Sequence, residues 1–164
     1  MFFSDLSAFR RFVRNQSEEQ LFLVLTEYFE LGGDIATGDD GKVVKFIGDA
    51  TLLVFPADWV DDGVLALREL KERGDQFFAM RSEICRHTIK AHFGPVCCGA
   101  IGTRDDKRFD VFGPAVNTAA LLPSTGLALT PQVFRRLAPE TRRYFKKCTP
   151  PTTYISIEDE RRAK

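Results

Sequence analysis

The stretch KVVKFIGDATLLVF, residues 42–55, consists of two apolar runs, VVKFI and TLLVF, that meet at Gly48-Asp49. Gly-Asp is turn chemistry: glycine accepts a positive φ, and a short carboxylate bonds the local backbone. The flanking runs carry the β-branched and aromatic residues of buried strands, so the stretch predicts a β-hairpin. Lys45 within the first run and Asp49 at the tip are charges that a purely structural hairpin does not need.

Reading outward from the hairpin gives alternating element types. On its N-terminal side FFS is a stub of strand and DLSAFRRFV a short helix. SEEQLFLVLTEYFELGG predicts a longer helix, with Ser17 and Gln20 spaced as a capping box and Gly32-Gly33 as the stop. On its C-terminal side, ADWVDDGVLALRELKERG places Val60, Val64, Leu67 and Leu70 at helical spacing and ends at Gly74. RHTIKAHFGPV alternates, with Ile89, Ala91 and Phe93 on one face and His87 and Lys90 mostly elsewhere. VCCGAIG and RFDVFG read as extended, and PAVNTAALL as a helix with Pro114 in its first turn. GLALT, PQVFRRLAPETRRY, FKK and TTYISIE follow. Hairpins mixed with crossover helices imply one α+β domain over residues 1–157, with an antiparallel or mixed sheet, and a frayed polar tail over 158–164.

Composition excludes several function classes. The chain has 164 residues, 44% of them hydrophobic and 15 of them Phe, enough to bury a single core. Lys plus Arg and Asp plus Glu are both 23, so no overall basic field draws the chain to nucleic acid or anionic lipid. No run of 18 apolar residues and no secretory leader is visible, so neither a membrane span nor export is expected, and the default location is cytoplasmic. Cys85, Cys97, Cys98 and Cys148 lack metal-ligand spacing and are expected to be reduced core residues.

The charged residues that remain form candidate sites. Asp5 follows the strand stub in FSDLSAF and Asp49 sits in FIGDA, so their carboxylates meet if the two strands are neighbours. Such pairs suit hard cations. Magnesium is held by one or two carboxylates plus substrate phosphates, and paired metals about 3.5–4 Å apart clamp the oxygens of an in-line displacement. HFGPVCCGAIGTRDDKRFDVFGPAVNTAALL adds glycines at 94, 99, 102 and 113, and Asn117 on a predicted helix.

In that order, FSDLSAF, KFIGDATLLVF, HFGPVCCGAIG and RFDVFGPAVNTAALL resemble the motif blocks of the class III nucleotide cyclase catalytic domain, the family of adenylyl and guanylyl cyclases. The resemblance runs from Asp5 to about Ile157. It implies a ferredoxin-like α+β core that dimerises head to tail, with active sites made at the interface of a homodimer. It implies that Asp5 and Asp49 bind metal, two Mg2+ or Mn2+ ions per site, and that Asn117 orients the ribose as a catalytic residue. Lys45 and its acidic companion Asp110 match the residues that read the base. Their chemistry agrees with adenine, whose N1 accepts from a lysine and whose amino group donates to a carboxylate; guanine reverses that edge. The implied reaction converts ATP to 3′,5′-cyclic AMP and pyrophosphate. The alternatives are a homologue without catalysis that serves as a nucleotide-binding or dimerisation module, and a cyclase for guanine or pyrimidine nucleotides.

The chain departs from the pattern at three places. Where a VNxAxR arrangement is usual, it reads Val116-Asn117-Thr118-Ala119-Ala120-Leu121, and Leu121 cannot donate to the α-phosphate. Loss of one such donor typically costs about 10²–10³ in rate. Arg10 and Arg11, just after Asp5, are candidate substitutes near a helix start that favours anions. Lys146 and Lys147 resemble the region where the family has a lysine for the terminal phosphates. Ala8 stands where glycine is usual, and the first strand reads as cut to Met1-Phe2-Phe3. His92 occupies a histidine position that is structural in the family; both it and His87 are read as core or rim residues. Control is expected from a regulatory domain or partner protein outside this chain.

Overall fold

The computed structural model describes residues 1–38, 40–81, 85–149 and 151–159. Strand β1 spans Phe2–Ser7, longer than the expected stub, and carries Asp5 within it. It ends at Ala8, whose φ of 60° lies in the left-handed region, before the short helix α1, Phe9–Val13. Helix α2, Glu18–Gly38, begins with the expected capping box: the Gln20 amide donates to Ser17 Oγ and the Ser17 amide to Gln20 Oε1, both at 3.2 Å. It runs through Gly32-Gly33. Each glycine costs about 1 kcal/mol of helix propensity, and packing of the α2 face outweighs it.

The hairpin forms as read, with β2 at Lys42–Ile47 and β3 at Ala50–Val54; Gly48, at φ 63°, makes the turn with Asp49. One irregularity was not foreseen. Val43 pairs with Leu53 and Lys45 with Leu52, so Val44 is an extra, bulged residue. After Ala57–Trp59, a 3₁₀ turn, helix α3 covers Val60–Met80 and passes Gly74 without stopping. That glycine serves a close approach: a Cβ there would lie 2.2 Å from His87 Cε1.

Strand β4, Arg86–Ala91, buries His87 together with Ile89 and Ala91, so His87 belongs to the core face by simple two-residue alternation. Strands β5, Cys97–Gly102, and β6, Lys107–Phe112, pair as a separate two-stranded sheet. Helix α4, Pro114–Leu121, starts on proline as expected. Strand β7 is Leu127–Leu129. The segment read as one helix after it is two short ones, α5 at Pro131–Phe134 and α6 at Pro139–Arg142, separated because Pro139 lacks an N–H and restricts Ala138 to extended backbone. Strands β8, Phe145–Cys148, and β9, Thr153–Ser156, close the fold.

Seven strands form the main sheet in the order β2-β3-β1-β4-β7-β9-β8; β4 pairs with β7 in parallel, and the other pairings are antiparallel. This is the expected α+β architecture. Phe2, Leu53, Ile89, Ala91, Leu127 and Leu129 pack against Val64, Leu67 and Leu70 of α3 in the main core. Phe12, Tyr28, Phe77, Phe78 and Cys85 build a second, aromatic core. None of the four cysteines is in a disulfide, but only Cys85 is buried: Cys97, Cys98 and Cys148 are exposed on strand faces that no described residue covers, which corrects the expectation of core cysteines.

Candidate active site

β1 lies centrally between β3 and β4, which brings the hairpin tip beside Asp5. The Leu6 amide donates to Asp5 Oδ1 at 2.9 Å and to Asp49 Oδ2 at 3.2 Å, so one N–H holds both carboxylates. Burial, together with the facing Asp5, pushes the Asp49 carboxyl up to about 6. Two carboxylates forced together with a single amide between them form a cation-seeking arrangement. Among the described residues no three His, Cys, Asp or Glu side chains cluster as a metal site. The pair therefore fits a magnesium-like ion, whose remaining ligands are phosphate and water, better than a caged structural ion.

The bulge at Val44 decides where Lys45 points. Lys45 stands opposite Leu52, which is opposite Phe3, so Lys45 shares the sheet face of Phe3 and Asp5. If Val44 paired in register with Leu52, Lys45 would stand opposite Thr51 and face the helices. On its actual face, Lys45 Nζ meets Asp110 Oδ2 at 2.7 Å. The ammonium holds the Asp110 carboxyl below its usual range. An open cleft of about 610 Å³ is lined by this pair together with Phe109 and Phe112. A second of about 500 Å³ runs from Lys45 past Phe112 to Asn117.

Asn117 is exposed on α4, while Ala115 and Ala119 bury the opposite side of that helix. Leu121 lies one turn beyond Asn117 and is 81% exposed. Arg10 and Arg11 are exposed on the single turn of α1. Lys146 and Lys147 sit on edge strand β8, four strands from β1 and so roughly 19 Å away within one chain at normal strand spacing. A single chain thus gathers Asp5 with Asp49, and Lys45 with Asp110 and Asn117, but not the β8 lysines.

Beneath the site lies a buried network that sequence reading missed. The His87 ring is enclosed, with Nδ1 3.2 Å from Asp75 Oδ1 and Nε2 2.8 Å from the Tyr28 hydroxyl. A neutral ring that donates to the carboxylate and accepts from the tyrosine satisfies all three groups. Burial lowers the His87 pKa against the opposing pull of Asp75. Burial also opposes ionisation of Asp75, but the His87 ring and amide and the Lys71 ammonium outweigh it and hold that carboxyl at about 2. Lys71 Nζ bridges Asp75 Oδ2 and Asp159 Oδ1, each at 3.0 Å, while Arg68 pairs with Glu158 at 2.8 Å. Glu158 and Asp159, read as the start of a polar tail, are tied to α3 in this way. The available signal was the alternation in RHTIKA, which places His87 with Ile89. His92 bonds Thr130 Oγ1 at 3.1 Å from a buried position, a structural role.

A family model described as Adenylate and Guanylate cyclase catalytic domain matches residues 1–148. The chain is 32% identical over 139 residues to the germination-specific adenylate cyclase of Dictyostelium discoideum, which covers 78% of this chain and 16% of that protein. It therefore spans less than a fifth of that relative. A bacterial light-regulated adenylyl cyclase superposes with a TM-score of 0.82 at 22% identity, over 96% of this chain and 51% of the other. The guanylate cyclase domain of RhGC from Catenaria anguillulae, in complex with GTP, gives 0.77 at 19% identity over 94% of both chains. Both likenesses show the fold. The match over residues 1–148, on a sheet that brings Asp5 to Asp49 and Lys45 to Asp110, establishes that this chain belongs to the class III adenylate and guanylate cyclase catalytic-domain family.

Proposed function

We propose that the protein is an adenylyl cyclase that converts ATP to 3′,5′-cyclic AMP and pyrophosphate. The observation that carries the choice of base is the Lys45–Asp110 pair at 2.7 Å in the cleft. An ammonium next to a carboxylate offers one donor and one acceptor at the spacing of the adenine N1 and amino group. Asn117, farther along the same cleft, orients the ribose. The ribose 3′-oxygen attacks the α-phosphorus, its proton leaves, and the bond to the bridging oxygen of pyrophosphate breaks.

Asp5 and Asp49 would hold Mg2+ or Mn2+, two ions per site, which when bound acidify the 3′-hydroxyl and neutralise the triphosphate. The protein's task is then positioning, with the Leu6 amide fixing both carboxylates. We place the working enzyme as a cytoplasmic homodimer. Asp5 and Asp49 of one protomer face Asn117, Lys45 and Asp110 of its partner, under control of a further domain or protein. Among the described residues, no helix is long and apolar enough to cross a membrane.

A second reading rests on Leu121: with no donor at that exposed position, the chain binds nucleotide without turning it over. Incubating purified dimer with each of the four NTPs and Mn2+, and resolving products by mass, decides between the two. Cyclic AMP in excess supports the enzyme. No cyclic product from any NTP leaves the binding module, and cyclic GMP in excess replaces the base assignment.

A further inference from the structure

The register of β1 on β4 determines what stands beside the metal-binding strand. Asp5 is opposite Thr88 and Phe3 is opposite Lys90, so Lys90 emerges on the same sheet face as Asp5, one side-chain repeat away. The long helices cover the other face. This one is crossed by α4, which packs on β1 and β4. Lys90 Nζ spans the gap and donates to Ala120 O at 3.0 Å, in the last turn of α4. The next residue is Leu121, on the outward face that also presents Asn117.

The surroundings of the Lys90 ammonium are unusual for a half-buried cation. Among the described residues no carboxylate lies within ion-pair distance of it, and the Ala120 carbonyl takes one of its three hydrogens. A cation at a helix C-terminus is favoured by the carbonyl end of the dipole, which accounts for the bond but leaves the charge without an anion. An anionic ligand arriving at the end of α4 would find two ammonium hydrogens open to it. On the cyclase reading, the cleft from Lys45 to Asn117 would bring nucleotide phosphates to this helix.

We propose that Lys90 is a catalytic residue that donates to a phosphoryl oxygen of the nucleotide at the α4 terminus, the place where Leu121 offers nothing. This rests on the cyclase reading. No covalent bond to Lys90 forms or breaks; its ammonium exchanges or shares the Ala120 carbonyl for phosphate oxygen as charge builds on the phosphoryl group.

The test uses the full chain with Lys90→Gln, which keeps a donor for Ala120 without the charge, alongside Lys90→Met and Lys90→Arg. Turnover of Mn2+–ATP, affinity for inorganic pyrophosphate with Mn2+, and thermal melting are measured on each. Lys90→Gln should melt like the parent, lose about 10²-fold in kcat/KM, mainly in kcat, and bind pyrophosphate more weakly. Lys90→Arg should recover most of the rate. Leu121→Arg placed on Lys90→Met should restore activity, since it returns a cation to the same terminus.

Parental kcat/KM and pyrophosphate affinity in a folded Lys90→Gln protein would overturn the proposal. So would a loss in Lys90→Met that neither Lys90→Arg nor Leu121→Arg repairs. The cyclase reading fails separately: a parent that forms no cyclic nucleotide yet binds pyrophosphate in a Lys90-dependent way refutes the reaction and retains the phosphate contact.

Discussion

Lys45 Nζ and Asp110 Oδ2, 2.7 Å apart, join the seven-stranded sheet to the separate two-stranded sheet. The bond lies across a cleft and its lysine is 40% exposed, so it contributes little to stability. Its consequence is geometric: the β5–β6 hairpin is held so that a donor and an acceptor stand side by side, as the proposed contact with a base requires. Exchanging the polarity with Lys45→Glu and Asp110→Cys should reduce the preference for ATP over GTP by about 10–100-fold, or about 1–3 kcal/mol. Competition of the two nucleotides with product analysis checks this, and unchanged selectivity would remove both residues from the base pocket.

The Leu6 amide shared by Asp5 and Asp49 leads to a prediction with two opposite signs. Asp49→Asn should abolish turnover with Mn2+ because it weakens the cation site. The same change should raise the melting temperature of metal-free protein, because it removes a charge that faces Asp5. Calorimetry with and without Mn2+ gives both answers from one sample set. Asp5→Ala should likewise silence the enzyme while leaving it folded.

Acid stability should fall in two stages. The buried His87 ring has a lowered pKa in the fold, so the unfolded chain takes up the proton first and stability declines as pH drops below about 6.5, a loss partly offset by Asp49, which at about 6 takes up its proton first in the fold. His92, also lowered by burial, acts in the same direction. Asp75 is held at about 2 in the fold, so its contribution is complete above about pH 4 and is lost as pH falls through about 2. Urea titrations between pH 8 and pH 2 report both stages, and His87→Gln should flatten the upper one.

Ala8 carries a side chain at φ 60°, where an L-residue is strained and glycine is not. Ala8→Gly should therefore stabilise the protein by about 1 kcal/mol, a gain that a denaturant titration at neutral pH can resolve. A loss of stability would show that the strand-to-helix step tolerates the methyl.

If the two halves of the site come from different protomers, mixing inactive Asp49→Ala protein with inactive Asn117→Ala protein should restore activity. One of the two sites in the heterodimer then has all its residues. No recovery after confirmed subunit exchange would place both sets of residues in one chain.

What could be read from the chain was local. The hairpin was legible because its turn and its strands are contiguous, and the capping box because Ser17 and Gln20 are three residues apart. Gly32, Gly33 and Gly74 misled because propensity treats glycine as a stop, whereas Gly74 makes room for His87, thirteen positions on. The Tyr28–His87–Asp75 network joins three elements and leaves no motif. Lys90 looked like an ordinary polar strand position until β1 and α4 were in place around it.

The bulge at Val44 makes strand register a determinant of the cleft. Were Val44 to pair with Leu52 instead of standing outside the ladder, Lys45 would move opposite Thr51 and turn into the layer beneath α2, leaving Asp110 with no cation beside it. The hairpin would keep its composition and lose the donor that the proposed base contact requires. On the proposed base contact, nucleotide choice depends on a one-residue slip of the hairpin as much as on substitutions, and strand register, usually considered a matter of folding alone, becomes part of the recognition code.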